Sequence, residues 1–240
     1  MAPLVLIVLW PHAPLVGIAI LALSHALILY PTLRPNVQWL GPVVTRFATT
    51  RNEVWLTVDD GPTPDTSAIL DLFDRLGVKA TFFVKGALAE TNPEGIAAIL
   101  ERKHTIGNHS QTHPSGSFWC LPPGRIGSEI DECNRVLTSL TGKTPLWFRA
   151  PVGMKNPAVH PALSRRGMRL IGWTTRGFDA VVGDPEQILA RILPNISPGA
   201  IIVLHQGREH SLRVLEKVVV ALQERGYSFV IPADEQLRAV

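Results

Sequence analysis

Two periods of apolar spacing alternate along most of this 240-residue chain. Short runs rich in Val, Ile, Phe and Trp lie at 54–58, 80–84, 105–108, 146–149, 169–173, 200–205 and 228–231, and each predicts a strand. Between them, apolar residues recur at helical spacing. Thr63 before Pro64 reads as a helix N-cap with proline at the first helical position, and Gly77 as the stop after "AILDLFDRL". Pro93 opens "PEGIAAILERK". Ile126, Ile130, Cys133, Val136, Leu137 and Leu140 share one face of a helix ending at Gly142, and "EHSLRVLEKVVVALQERG" repeats the pattern up to Gly226. Such alternation predicts an α/β fold with a mostly parallel sheet, either open and doubly wound or closed as an incomplete barrel. In both, chemistry gathers at the carboxyl ends of the strands.

The first residues depart from this pattern. Residues 3–30 contain no Asp, Glu, Lys or Arg, and about 20 apolar residues suffice to cross a bilayer. Pro11, His12 and Pro14 interrupt the run, which predicts one kinked span or two short segments in a re-entrant hairpin; a core helix of the globular domain is the alternative. The start lacks the basic stretch of a cleaved signal peptide. No Lys or Arg precedes Arg34, whereas Arg34, Arg46 and Arg51 follow. By the positive-inside rule the remainder is expected on the cytoplasmic face of a bacterial-type inner membrane. The expected organisation is therefore a membrane anchor or hairpin at 1–33, a Pro-containing linker at 34–51 and a catalytic domain at 52–240.

Composition narrows the picture modestly. The chain is 46% hydrophobic and 18% charged, with the apolar excess at the N-terminus. A formal charge of +3 without any Lys/Arg run argues against a nucleic-acid partner. Cys120 and Cys133 fit no CxxC or zinc-knuckle spacing and read as unpaired thiols.

Chemistry-bearing residues do fall just after the predicted strands. Asp59 and Asp60 follow the first, His109 and His113 in "GNHSQTHP" the third, and Arg149 closes the fourth. Asp179 lies a few residues beyond Trp173, and His205 ends "IIVLHQG". Singly each has a plain structural reading, since Asp-Gly-Pro is ordinary turn chemistry and a lone His is commonly a core residue. Together, an acid and two imidazoles make a site for a divalent ion such as zinc. A neighbouring carboxylate can take a proton from water, an arginine can hold that carboxylate ionised, and a second histidine can donate to a leaving amine. This is equipment for metal-assisted hydrolysis of an amide or ester.

The segments "TVDDGP", "HSQTH", "RAPVG" and "LHQG" resemble, in order, the signature motifs of the polysaccharide deacetylases, the chitin-deacetylase-like carbohydrate esterases with a NodB homology domain. The resemblance spans about 53–231. It implies a distorted or incomplete (β/α)7 barrel, here carrying an N-terminal membrane-associated helical segment, and removal of an N-acetyl group from an amino sugar. On its pattern Asp59 is the general base, Asp60, His109 and His113 are the metal ligands, Arg149 orients the base and His205 is the general acid. Leu204 would wall the acetyl methyl group, the Val152 N–H would bind the oxyanion, and Pro151 and Trp173 would border the substrate. The metal would be Zn2+, with Co2+ as an alternative. Two departures stand out. Val58 replaces a common Phe, and in "WTTRGFDA" only Asp179 matches the fourth motif, expected to pair with His205 or Arg149, while Arg176 and Ala180 replace an acid and a tryptophan. With residues 3–30 as membrane partner, the expected substrate is a lipid-linked N-acylated amino sugar. A deformylase of such a lipid, or a non-catalytic glycan-binding barrel in a membrane complex, are the alternatives.

Overall fold

Strand β3, Glu53–Gly61, shows why the sheet forms as it does, because all nine of its residues are buried. The computed structural model describes residues 2–240. Val54, Leu56 and Val58 point outward into a core shared with Ile69, Phe73 and Val218 of the surrounding helices. Trp55 points the other way, into a second core with Phe83, Ile171, Ile201 and Val203. A strand buried on both faces, one against helices and one inside a closed sheet, is the signature of a β/α barrel.

The remaining strands are β1 Val43–Val44, β2 Arg46–Phe47, β4 Ala80–Val84, β5 Thr105–Asn108, β6 Trp147–Phe148, β7 Arg169–Ile171, β8 Thr175–Arg176, β9 Ala200–His205, β10 Ser228–Phe229 and β11 Leu237–Arg238. Parallel pairing runs β3-β4-β5-β6-β7, and β8 pairs β9, which returns to β3. These seven staves form the barrel, incomplete between β7 and β8. There β1 pairs β7, β2 pairs β9 antiparallel, and β11 pairs β2. The segment read as a linker thus contributes two strands to the sheet.

The helices are α1 Ala2–Leu9, α2 Pro14–Leu33, α3 Thr66–Leu76, α4 Gly86–Thr91, α5 Pro93–Glu101, α6 Pro123–Thr141, α7 Val159–Ser164, α8 Pro185–Ile192 and α9 Ser211–Gln223. Gly77 and Gly142 end α3 and α6 in the left-handed conformation, as their sequences predict. Three expectations shift. Helix α3 starts at Thr66 rather than beside Thr63, because Thr63 and Thr66 donate their hydroxyls to Gln206 Oε1. The run at 169–173 stops at Ile171, and a separate stave, β8, follows Gly172–Thr174. The run at 228–231 yields β10, which pairs only with Glu53 and Val54 below the main ring. Cys120 and Cys133 are both free thiols.

The N-terminal segment folds as a hairpin of unequal helices, the turn closed by Ala13 N–H donating to Leu9 O at 2.7 Å. Gly17 of α2 meets Leu6 of α1 so closely that a Cβ there would stand 3.1 Å from the Leu6 Cα. This is helix packing through a small residue. Helix α2 is long and apolar enough to cross a bilayer by length and composition, whereas α1 has 8 residues. Most of the hairpin's large apolar side chains, Leu4, Ile7, Trp10, Leu15 and Leu23 among them, are exposed, so it is not a core helix.

The hairpin's end is nevertheless tied to the barrel. Lys155, fully buried, donates Nζ to the carbonyls of Arg34 at 3.0 Å and Pro35 at 2.7 Å, and its N–H to Thr32 O. Helix carbonyl ends lack intrahelical partners, and an ammonium with three donors satisfies them.

Candidate active site

In a regular strand, adjacent residues face opposite sides, so Asp59 and Asp60 could not both serve one site. Strand β3 escapes this rule by a bulge. Asp59 is opposite Phe83 on β4, but the next matched pair is Gly61 with Val84, leaving Asp60 as the extra residue. Asp60 has φ 77°, the left-handed region that Asp tolerates better than most residues. The kink keeps both carboxylates within reach of His109: Asp59 Oδ2 and Asp60 Oδ1 each lie 3.8 Å from its Nε2.

His109 and His113 follow β5 on a loop, not a helix. Positive φ at Ser110 and His113 turns the chain back. Glu129 of α6 pins the loop by accepting from the Thr112 N–H and hydroxyl. The imidazole centroids are 4.6 Å apart. His109 Nδ1 donates to Arg149 O at 2.8 Å, which fixes the tautomer and leaves the Nε2 lone pair facing the carboxylates. His113 Nε2 lies 3.5 Å from Asp60 Oδ1. Ligand atoms of Asp60, His109 and His113 all fall within 4.8 Å of one another.

Charge states suit a metal. Burial pushes His109 well down despite the attraction of Asp59 and Asp60. Burial and the neighbouring His109 push His113 down to about 3. Both imidazoles are therefore neutral near pH 7, the state in which they bind metals. Burial alone would raise Asp60, but the imidazoles and the Lys85 ammonium hold its carboxyl below the usual range. Lys85 Nζ stands 2.9 Å from Asp60 Oδ1 as an ion pair. A carboxylate oxygen within 4.8 Å of two neutral imidazole lone pairs is a donor set that fits a divalent cation.

Asp59 is held separately. Arg149 Nη1 donates to Asp59 Oδ1 at 2.7 Å and to Thr57 Oγ1 at 2.6 Å. Its Nη2 donates to Gly172 O and its Nε to Ile171 O, and the guanidinium lies 4.2 Å from the Phe83 ring centroid. A guanidinium buried with four acceptors and a stacking face is rigid, which fixes the carboxylate.

His205 stands opposite Asp59 in the β3–β9 register. Asp179 grips it twice, accepting from its backbone N–H at 2.6 Å and contacting its Nδ1 at 3.1 Å. Burial disfavours the imidazolium, but the Asp179 hydrogen bond and the charges of Asp179, Asp59 and Asp60 outweigh it and raise the His205 pKa. Of the two partners expected for Asp179, the structure brings it to His205.

Asp59, Asp60, Lys85, His109, His113 and His205 line a cleft of about 560 Å³ together with Ser115, Gly153, Val152, Trp173, Phe178 and Val203, while Arg149, Asp179 and Pro151 are buried behind its wall. Val152 has φ 48°, a strained conformation for a β-branched residue, held in the turn after buried Pro151. Leu204 does not line the cleft. It is fully buried in the outer core, because strand alternation sends Val203 and His205 inward and Leu204 outward. Val203 lines the cleft instead. Lys85, missed in the sequence, directly follows β4, where the rule that chemistry follows strands would have found it. A larger cavity of about 710 Å³, between Leu40, His160 and Leu237, has no carboxylate in its lining.

Residues 47–171 match the family model described as polysaccharide deacetylase. A chitooligosaccharide deacetylase of Bradyrhizobium is 31% identical over 190 residues, covering 72% of this chain and 86% of that protein. A family 4 carbohydrate esterase from Streptomyces lividans, solved with acetate, is 26% identical with a TM-score of 0.71, covering 79% of this chain and 97% of the other. A CE4 family pseudoenzyme from Bacillus anthracis is 27% identical with a TM-score of 0.70, covering 77% and 65%.

Proposed function

Because the chain belongs to the polysaccharide deacetylase family, we propose that it is a metal-dependent hydrolase that removes the N-acetyl group of a lipid-linked amino sugar at a membrane surface. The observation that carries the chemistry is the bulge at Asp60, which turns both acids of one strand end toward His109 and His113.

Asp60, His109 and His113 would hold the ion, with Zn2+ favoured by the mixed nitrogen and oxygen donors. When bound it would polarise the amide carbonyl and make water a better acid. Asp59, held in place by Arg149 at Oδ1, takes the proton from the attacking water at Oδ2, the oxygen that Arg149 leaves open. The backbone N–H of Val152 is offered to the developing oxyanion. His205, kept protonated by Asp179, gives a proton to the departing amine. Trp173 and Val203 border the acyl group and limit water.

That pseudoenzymes exist with this fold makes a glycan-binding barrel the second reading. The full set of acid, base and ligand groups here favours catalysis. The exposed apolar hairpin supports a membrane location, with the barrel proposed on the cytoplasmic side.

The test separates the two acids. Asp59→Asn is expected to lower turnover of an N-acetylated amino sugar by about a thousandfold or more while zinc stoichiometry stays near one. His109→Ala is expected to lose the metal as well. Loss of zinc from Asp59→Asn would overturn this division of labour, and full turnover by chelator-treated enzyme would overturn metal dependence.

A further inference from the structure

Two cations in the cleft, Arg176 and Arg208, have no part in the hydrolytic steps. The acids nearby are already engaged: Asp59 by Arg149, Asp60 by Lys85 and Asp179 by His205. Among the described residues none forms an ion pair with Arg176 or Arg208. Arg176 is nonetheless half-buried. Its guanidinium lies 4.0 Å from the Phe178 ring centroid and 5.1 Å from that of Trp173, so it is pre-oriented by aromatic faces rather than by a carboxylate. Burial pushes its pKa down with no acid to offset the effect, yet a guanidinium remains charged at any working pH. A partly desolvated cation left unpaired in a cleft is poised for an anion.

The platform beneath Arg176 also touches the root of the hairpin. Trp173 accepts from Asn36 Nδ2 at 2.8 Å through its carbonyl. Gly153 is wedged between Trp173 and Pro35, with no room for a Cβ beside either. Residues 35 and 36 follow directly on α2. Arg176 therefore stands on the side of the cleft from which the apolar helix departs.

We propose that Arg176, with Arg208 lining the same cavity, forms a subsite for a phosphate group carried by the amino-sugar substrate. The sugar identity rests on the deacetylase reading. Phosphate is favoured over carboxylate because a phosphodiester is the anionic linkage that joins a sugar to an apolar alcohol. A charge in that position lies between the reacting amide and the hairpin.

The test uses full-length, zinc-loaded protein in detergent and calorimetric binding of three probes: N-acetylglucosamine 1-phosphate, methyl N-acetylglucosaminide and N-acetylmuramic acid. The phosphate is expected to bind about tenfold or more tighter than the neutral glycoside, the strength of one or two charge-assisted hydrogen bonds. Arg176→Gln should collapse that ratio, and Arg176→Lys should restore part of it. Arg225→Gln, which removes the same charge beyond the carboxyl end of α9, should leave the ratio intact. Equal binding of phosphate and neutral sugar overturns the subsite, as does equal preference for the muramic carboxylate. A preference that survives in the Arg176→Gln/Arg208→Gln double variant places the phosphate elsewhere and also overturns it. Deacetylation is scored separately, so a preserved binding ratio without turnover rejects the hydrolase reading while upholding the subsite. A polyprenyl phosphate without sugar and inorganic phosphate, run as competitors, distinguish a lipid headgroup from free anion.

Discussion

His205 and Asp59 face each other across neighbouring strands, and each is held to its task by one opposite charge. For His205 that charge is Asp179, buried and bonded to both its Nδ1 and its backbone N–H. The raised pKa means that His205 stays protonated to higher pH than a free imidazole. Activity that needs the imidazolium is therefore lost as pH rises through that raised value. Asp179→Asn keeps an acceptor but removes the charge, so the alkaline limb of the kcat/KM profile is expected to move to lower pH. A pH–rate profile unchanged in position would assign the proton donor elsewhere. At this scale the sequence was largely legible, because Asp59, Asp60, His109, His113 and His205 all line one cleft and Arg149 is bonded to Asp59 behind it. Leu204 was misplaced although the signal was present: with His205 facing inward, a period of two requires Val203, not Leu204, beside it. Lys85 belongs to none of the four motifs, and its place directly after β4 is the one signal the sequence offers for it.

Elements explain what residues alone could not. The alternation of β3 predicts that Asp60 points away from Asp59, and only the bulge reverses this. Bulges depend on pairing with a partner strand, here β4, so no local pattern in "TVDDGP" encodes one. The same holds for β8. Two residues, Thr175 and Arg176, form a stave because β9 lies alongside them, not because of their own propensity. The link between hairpin and barrel is likewise tertiary. Lys155 looks like a surface lysine in sequence, yet its ammonium caps the carbonyls after α2. Lys155→Met is expected to leave two part-buried carbonyls without a donor and to cost roughly 1 kcal/mol of stability. Limited proteolysis between residues 31 and 42 should accelerate in this variant. Undiminished protection would mean that the Pro35–Gly153 contact and the Asn36–Trp173 hydrogen bond suffice to hold the segment.

The whole molecule joins a hydrolytic barrel to an apolar hairpin through this one buried junction. The barrel encloses its own core, with Trp55, Phe83, Ile201 and Val203 inside the sheet and Leu56, Phe73 and Val218 outside it. None of these residues comes from the hairpin. Its apolar side chains instead remain largely uncovered, and an exposed surface of that kind calls for a lipid or protein partner. The junction fixes where the two parts can be separated. Thr32 is buried and supplies a carbonyl to Lys155, so a cut must fall before Pro31. Removing residues 1–30 is expected to release the protein from membranes while kcat/KM for a soluble N-acetyl sugar changes less than about threefold, since no side chain of the cleft is lost. For a lipid-linked substrate in vesicles the same deletion should cost far more, about a hundredfold, because enzyme and lipid no longer share one surface. Equal losses on both substrates would show that the hairpin supports the barrel's structure, and continued membrane retention would show that another surface carries the attachment.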